Sequence, residues 1–165
     1  MSAGRLLLAA LGAFAIAACD AGEVAVPGSG ADGAAGAPAD AAGGGRTVTI
    51  EGPAVLPHVQ AFADAACNAV GACTVSTYDG HHPTASRAID TLMSDEFGSY
   101  PSDDNALGDA HAEFALSHME EFGIWYVIWR QRYNDGSGWD PMEDRGSITQ
   151  NHYDHVHVSF DETLP

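Results

Sequence analysis

The sequence predicts an α+β domain with a small, mostly antiparallel sheet and flanking helices. Three observations lead there. Apolar residues recur at helical spacing in two segments, and several short runs carry the β-branched and aromatic content of strands. These elements also follow one another without the regular alternation that a parallel βαβ sheet requires.

Val55, Val59, Phe62, Ala66 and Val70 fall on one stripe after Pro53 and Pro57, which predicts a first helix that Gly71 stops. Cys73 to Tyr78 reads as a strand, followed by the polar turn Asp79-Gly80-His81-His82-Pro83. A second strand, Arg87 to Met93, carries Ala88, Ile89 and Leu92. The run Ser102-Asp103-Asp104-Asn105 offers caps for a second helix with Leu107, Ala110, Phe114, Ala115 and Phe122 on its stripe, ended by Gly123. Ile124 to Trp129 is apolar throughout, as a central strand buried on both faces would be. Trp139 to Thr149 reads as an irregular loop. In the extended run that closes the domain, His155, His157 and Ser159 share one face, and Val156, Val158 and Phe160 share the other.

Ahead of this domain lie two segments of a different kind. Residues 1–18 carry Arg5 and an apolar run from Leu6 to Ile16, too short to span a bilayer, and read as an export signal. Ile16-Ala17-Ala18-Cys19 resembles a bacterial lipobox, which would make Cys19 the lipidated first residue of a membrane-anchored envelope protein facing the periplasm or the exterior. Residues 19–46 are dominated by Gly, Ala, Asp and Pro and cannot bury enough surface to offset their ordering entropy, so they read as a tether. Residues 47–165 then form one domain of about 120 residues, enough for a real core. The formal charge of -17 and the absence of lysine exclude a nucleic-acid footprint. The chain is expected to be a monomer. In an exported domain Cys67 and Cys73 should pair, closing a short loop that contributes only about 2 kcal/mol.

The chemistry is concentrated in two places. His152, Asp154, His155 and His157 surround the start of the last strand, and a catalytic metal that takes three protein ligands needs a further group. His81, His82 and Asp90, around the polar turn and the strand after it, can supply that group if a hairpin brings the two together. His111 and His118 fall on or near the apolar stripe of the second helix and read as core-edge residues. Arg87 is either a clamp for a substrate carboxylate or a structural ion-pair partner.

These residues resemble the zinc peptidases of the D-alanyl-D-alanine carboxypeptidase, lysostaphin and hedgehog superfamily, specifically the M15-like domains of bacterial envelope proteins. Arg87-Ala88-Ile89-Asp90 matches the end of that family's first motif, and Asp154-His155-Val156-His157 matches its second. The resemblance covers about Thr74 to Phe160 and implies a hedgehog/DD-peptidase-like fold. It further implies a Zn2+ ion on Asp90, His157 and a histidine of the turn, with Asp154 as general base and His152 assisting the transition state. His155 would line the site or support a ligand. The turn departs from the pattern: the expected histidine position is Pro83, so His82, one residue early, is favoured as the third ligand, with His81 as the other choice. The implied activity is hydrolysis of peptide bonds in peptidoglycan stem peptides or cross-links. The disturbed first motif leaves a second expectation, a non-catalytic envelope module of the same fold that binds cell-wall peptide.

Overall fold

The computed structural model describes residues 45–165. The export signal, Cys19 and nearly all of the tether lie outside the described residues. In chain order the elements are β1 (Ile50–Glu51), α1 (Pro57–Val70), β2 (Val75–Ser76), a 3-10 turn (Ala85–Arg87), β3 (Ala88–Leu92), α2 (Ala106–Ser117), α3 (Met119–Phe122), β4 (Ile124–Trp129), β5 (Arg132–Asn134), β6 (Asp140–Pro141) and β7 (His155–Phe160). The strands form one seven-stranded sheet in the order β1-β2-β3-β7-β4-β5-β6. Only the β1–β2 pair is parallel. The fold is α+β, as the sequence predicts.

The alternation of β7 decides the layering. Val156, Val158 and Phe160 are fully buried on one face, together with Ile89, Val127 and Trp129 of the neighbouring strands. Against this face pack the buried stripe of α1 (Val59, Phe62, Ala63, Ala66, Cys67) and Ala112 and Ala115 of α2. Phe62 sits at the junction, with ring centroids 5.4 Å from Phe160 and 5.6 Å from Phe122. Each such side chain contributes roughly 1.5–3 kcal/mol by leaving water. The helices cover one face, and the opposite face is left to polar side chains and loops.

The first helix begins at Pro57, whose missing N–H costs nothing in the first turn, and ends at Gly71, which takes φ +94. Cys67 in its last turn is disulfide-bonded to Cys73, with Cα atoms 4.7 Å apart. Three elements differ from the sequence reading. The expected strand 73–78 pairs regularly only at Val75–Ser76, and the Thr77 hydroxyl beyond it bonds the Ala85 carbonyl (2.8 Å). The second helix divides at His118. There the Ser117 hydroxyl and the His118 Nδ1 take the Phe114 carbonyl (2.9 and 2.8 Å) that a continuing helix would use. The central strand β4 is not buried throughout: a register shift against β7 between Ile124 and Tyr126 turns Trp125 outward, 42 % exposed.

Gly108 marks the tightest approach of helix to sheet, since a Cβ there would lie 2.1 Å from the Trp129 ring. The indole is also held by its Nε1–H, which donates to Asp109 Oδ1 at 2.7 Å. Gly108→Ala should therefore lower stability by at least about 2 kcal/mol in denaturant titration; an unchanged midpoint would show that the helix can move away.

His111 lies in the same interface, fully buried, with neither ring nitrogen partnered. Burial lowers its pKa to about 4, whereas the unfolded chain takes up this proton near pH 6.5. Unfolding thus binds a proton between those values, and stability falls as the pH drops through that window, by about 3 kcal/mol at its lower end. His111→Leu should flatten this acid limb in pH-dependent thermal melts, and an unaltered limb would remove His111 as its cause.

Candidate metal and catalytic site

The polar face of the sheet carries a transverse row set by register: Ser76 pairs with Asp90, Asp90 with His157, and His157 with Ile128. Residues directly opposite in antiparallel strands project to the same side, so Asp90 and His157 meet at the centre of the sheet. His157 Nδ1 lies 2.9 Å from Asp90 Oδ1. The turn after β2 adds His81, whose Nε2 is 3.1 Å from Asp90 Oδ1 and 3.0 Å from His157 Nδ1. All three side chains are buried, and they form a group able to hold a metal ion.

The outer ring nitrogens establish which lone pairs face inward. Thr77 donates its hydroxyl to the Ala85 carbonyl, so it can only accept from His81 Nδ1 (3.0 Å), which must carry the proton. Ser159 donates to the His82 carbonyl (3.1 Å) and accepts from His157 Nε2 (2.9 Å). In the neutral rings His81 Nε2 and His157 Nδ1 are therefore bare, and both face a carboxylate oxygen. Three acceptors about 3 Å apart repel one another unless a cation lies between them. A tetrahedral centre with bonds of about 2.0–2.1 Å separates its ligand atoms by about 3.3 Å, so the spacing fits. The outer Thr77 and Ser159 contacts are those that orient metal-bound imidazoles.

Ionisation points the same way. Burial pushes His157 below its ordinary value and keeps it neutral, the form that ligates. Burial works to raise the Asp90 pKa; only if His157 and His81 carried protons on the nitrogens that face it, with His155 charged nearby, would its carboxyl be held well below the usual carboxylate range.

Beside the group stand two further imidazoles. His155 directs Nε2 to within 3.5 Å of Asp90 Oδ1, while its Nδ1–H donates to Asp154 Oδ1 at 2.6 Å. Asp154 is wholly buried, and its other oxygen accepts from the Gly98 amide (2.6 Å) and the Thr149 hydroxyl (2.5 Å). Burial would raise its pKa, but these donors, led by His155, keep it lowered and ionised. His152 has left-handed backbone (φ +55) and its ring lies 4.7 Å from that of His155. Its Nδ1 is buried with no protein partner, and burial, assisted by His155 and His157, takes the pKa down to about 3.

This geometry corrects the expectations for His82 and Arg87 and locates Asp154. His82 is outside the ligand group: it is exposed, and its Nδ1 pairs with the Tyr126 hydroxyl at 2.9 Å, while His81 fills the ligand position. The reason is the turn, in which His81 N bonds the Tyr78 carbonyl and Thr77 captures the His81 ring. Asp154 is set back from the ligand group: its oxygens accept from His155, Gly98 and Thr149, and the His155 ring reaches from it toward Asp90. Arg87 donates Nε–H to the Phe160 carbonyl (2.9 Å) and does not line the cleft; Arg145 does.

The group opens into a cleft of about 810 Å³, walled by Tyr78, Phe97, Tyr126, Arg145 and His152. Tyr78 stacks on His81 at 4.4 Å, and Tyr126 stacks on His157 at 5.7 Å. Burial raises the Tyr126 pKa, so its hydroxyl keeps its proton. Sequence reasoning missed Thr77, Tyr126 and Thr149. Tyr126 was concealed in an apolar run, and the two threonines carry no spacing signal because loops bring them in.

Fold and site together define an α+β domain with a buried His-Asp-His group on the open face of its sheet. The chain belongs to the VldE C-terminal domain family, whose model matches residues 51–153. It is also similar to an uncharacterized secreted protein of Arthroderma benhamiae, with 36% identity over 84 residues that amount to 40% of this chain and 34% of that protein. The chain thus spans about a third of that relative's length. No solved structure matches.

If lone-pair convergence marks a metal site, the protein should bind one divalent ion per chain with a rise in melting temperature. Asp90→Ala should lose the ion and His82→Ala should keep it, read by elemental analysis after gel filtration. Loss in His82→Ala with retention in Asp90→Ala would put the ion elsewhere.

Proposed function

We propose that the protein is an exported zinc peptidase of M15-like architecture, cleaving peptide bonds of cell-wall peptidoglycan. The observation that carries this reading is the meeting of three unprotonated ligand atoms of His81, Asp90 and His157 beside a second, carboxylate-backed imidazole. Two imidazoles and one carboxylate form a donor set suited to zinc, with a fourth position left for substrate or water. Bound there, zinc would polarise a carbonyl and lower the pKa of a bound water to about 7.

The remaining steps belong to this chain's own residues. His155 Nε2 accepts a proton from the attacking water and returns it to the leaving amine. Asp154 holds the other ring nitrogen and stabilises the imidazolium formed in between, a role that its full burial and its Gly98 and Thr149 bonds make rigid. His152, neutral and lining the cleft, would meet the substrate through Nε2, since its Nδ1 is buried. Arg145 has no carboxylate partner among the described residues and supplies a cation for a substrate carboxylate.

Export is supported by the leader sequence and by the secreted relative. A lipid anchor on Cys19 would hold the domain at the envelope. The peptidoglycan substrate follows from the M15 resemblance, and the cleft volume suits a short peptide.

His155→Ala should retain zinc and lose at least about 100-fold in kcat on muropeptides, consistent with removal of a proton-transfer group. Turnover close to that of the parent protein would take His155 out of the mechanism. Metal and binding without any product, even in the parent protein, would point to a wall-binding module.

A further inference from the structure

On the helix-bearing side of the sheet lies a second cleft, about 490 Å³, that the site above does not use. One wall is the β4–β5 hairpin with Arg130 and Arg132, and the other is α2 with Asp109 and Glu113. In a chain with only six Lys and Arg against 23 Asp and Glu, two arginines in one cleft are a marked concentration of positive charge. Yet no arginine among the described residues is paired with a carboxylate. Among those residues the only guanidinium hydrogen bond is that of Arg87.

Each wall has one charged side chain held by an indole. The Trp129 indole takes Asp109, and Arg132 lies over the Trp139 ring at 4.8 Å. A guanidinium stacked on an indole keeps its in-plane N–H groups free, which is the arrangement that receives a carboxylate in a fork. Across the cleft, Glu113 and the second oxygen of Asp109 offer acceptors for a cation. Opposite charges on the two walls, with Asp109 and Arg132 each held by an indole and no ion pair between the walls, make a receptor for a ligand that carries both signs.

We propose that this cleft binds a small zwitterion, an amino acid or short peptide with a free carboxylate against Arg130 and Arg132 and a free ammonium against Asp109 and Glu113. Trp139 covers its body. The site is separate from the metal group and does not depend on the peptidase reading.

The test is a titration of the full chain with alanylalanine, followed through the indole N–H signals, with N-acetylated and C-amidated alanylalanine as single-charge controls. The free dipeptide should shift Trp139 and Trp129, and each capped form should bind at least about fivefold more weakly. Arg132→Gln and Glu113→Gln should each weaken binding about tenfold. Trp125, which lies beside His82 at the main cleft, reports the other site. No shift of Trp129 or Trp139 at about 10 mM, a shift confined to Trp125, or equal binding of the capped forms would overturn the proposal.

Discussion

Three lone pairs cannot share a space about 3 Å across without a positive charge between them, and the protein is built to hold them there. Asp90 and His157 are cross-strand partners in the middle of the sheet. A slip of one residue in the β3–β7 register would turn either to the apolar face. His81 is brought over them by a turn that Thr77 closes from behind. Ser159, two residues along β7 and on the same face, fixes the other ring. Neither threonine nor serine touches the metal space, yet each decides which nitrogen is bare.

Such a cluster opposes folding until it is neutralised. A buried carboxylate facing two imidazoles costs desolvation, and the ligand atoms gain only when a cation joins them. The stability that tolerates this comes from the other side of the same strands, where Val156, Val158 and Phe160 close on Phe62 and the helices. One strand therefore carries both tasks through its alternation. The loop from Asp144 to Tyr153 is tied down by hydrogen bonds: the Arg130 and Gln131 amides bond the carbonyls of His152 and Asn151, and Asn151 holds Asp144 and the Arg145 amide. Bonds from the Arg130 amide to the His152 carbonyl and from the His152 amide to the Thr149 carbonyl hold His152 in its left-handed conformation at the wall of the cleft.

Much of this was legible in the residues. The stripe of α1, its Pro and Gly boundaries, the pairing of Cys67 with Cys73 and the two faces of β7 follow from local periodicity, which the final packing did not override. Asp90 and His157 were also readable, because each lies on a strand whose facing could be assigned. His81 against His82 was not, since the choice rests on a turn closed by a threonine hydroxyl, a contact with no periodic signature. The surroundings of Asp154 were hidden for a related reason. Alternation places it opposite to His155, and only the fold shows its carboxylate held by the His155 ring and by Gly98 and Thr149 from loops.

The central claim is the direction of two lone pairs, and long-range nitrogen-proton correlation spectra of the histidine rings read it directly. Metal-free protein should show His81 protonated at Nδ1 and His157 at Nε2. Zinc addition should move His81 Nε2 and His157 Nδ1 and leave the protonated nitrogens in place. Opposite tautomers, or zinc-induced shifts confined to His82 or His152, would contradict the account.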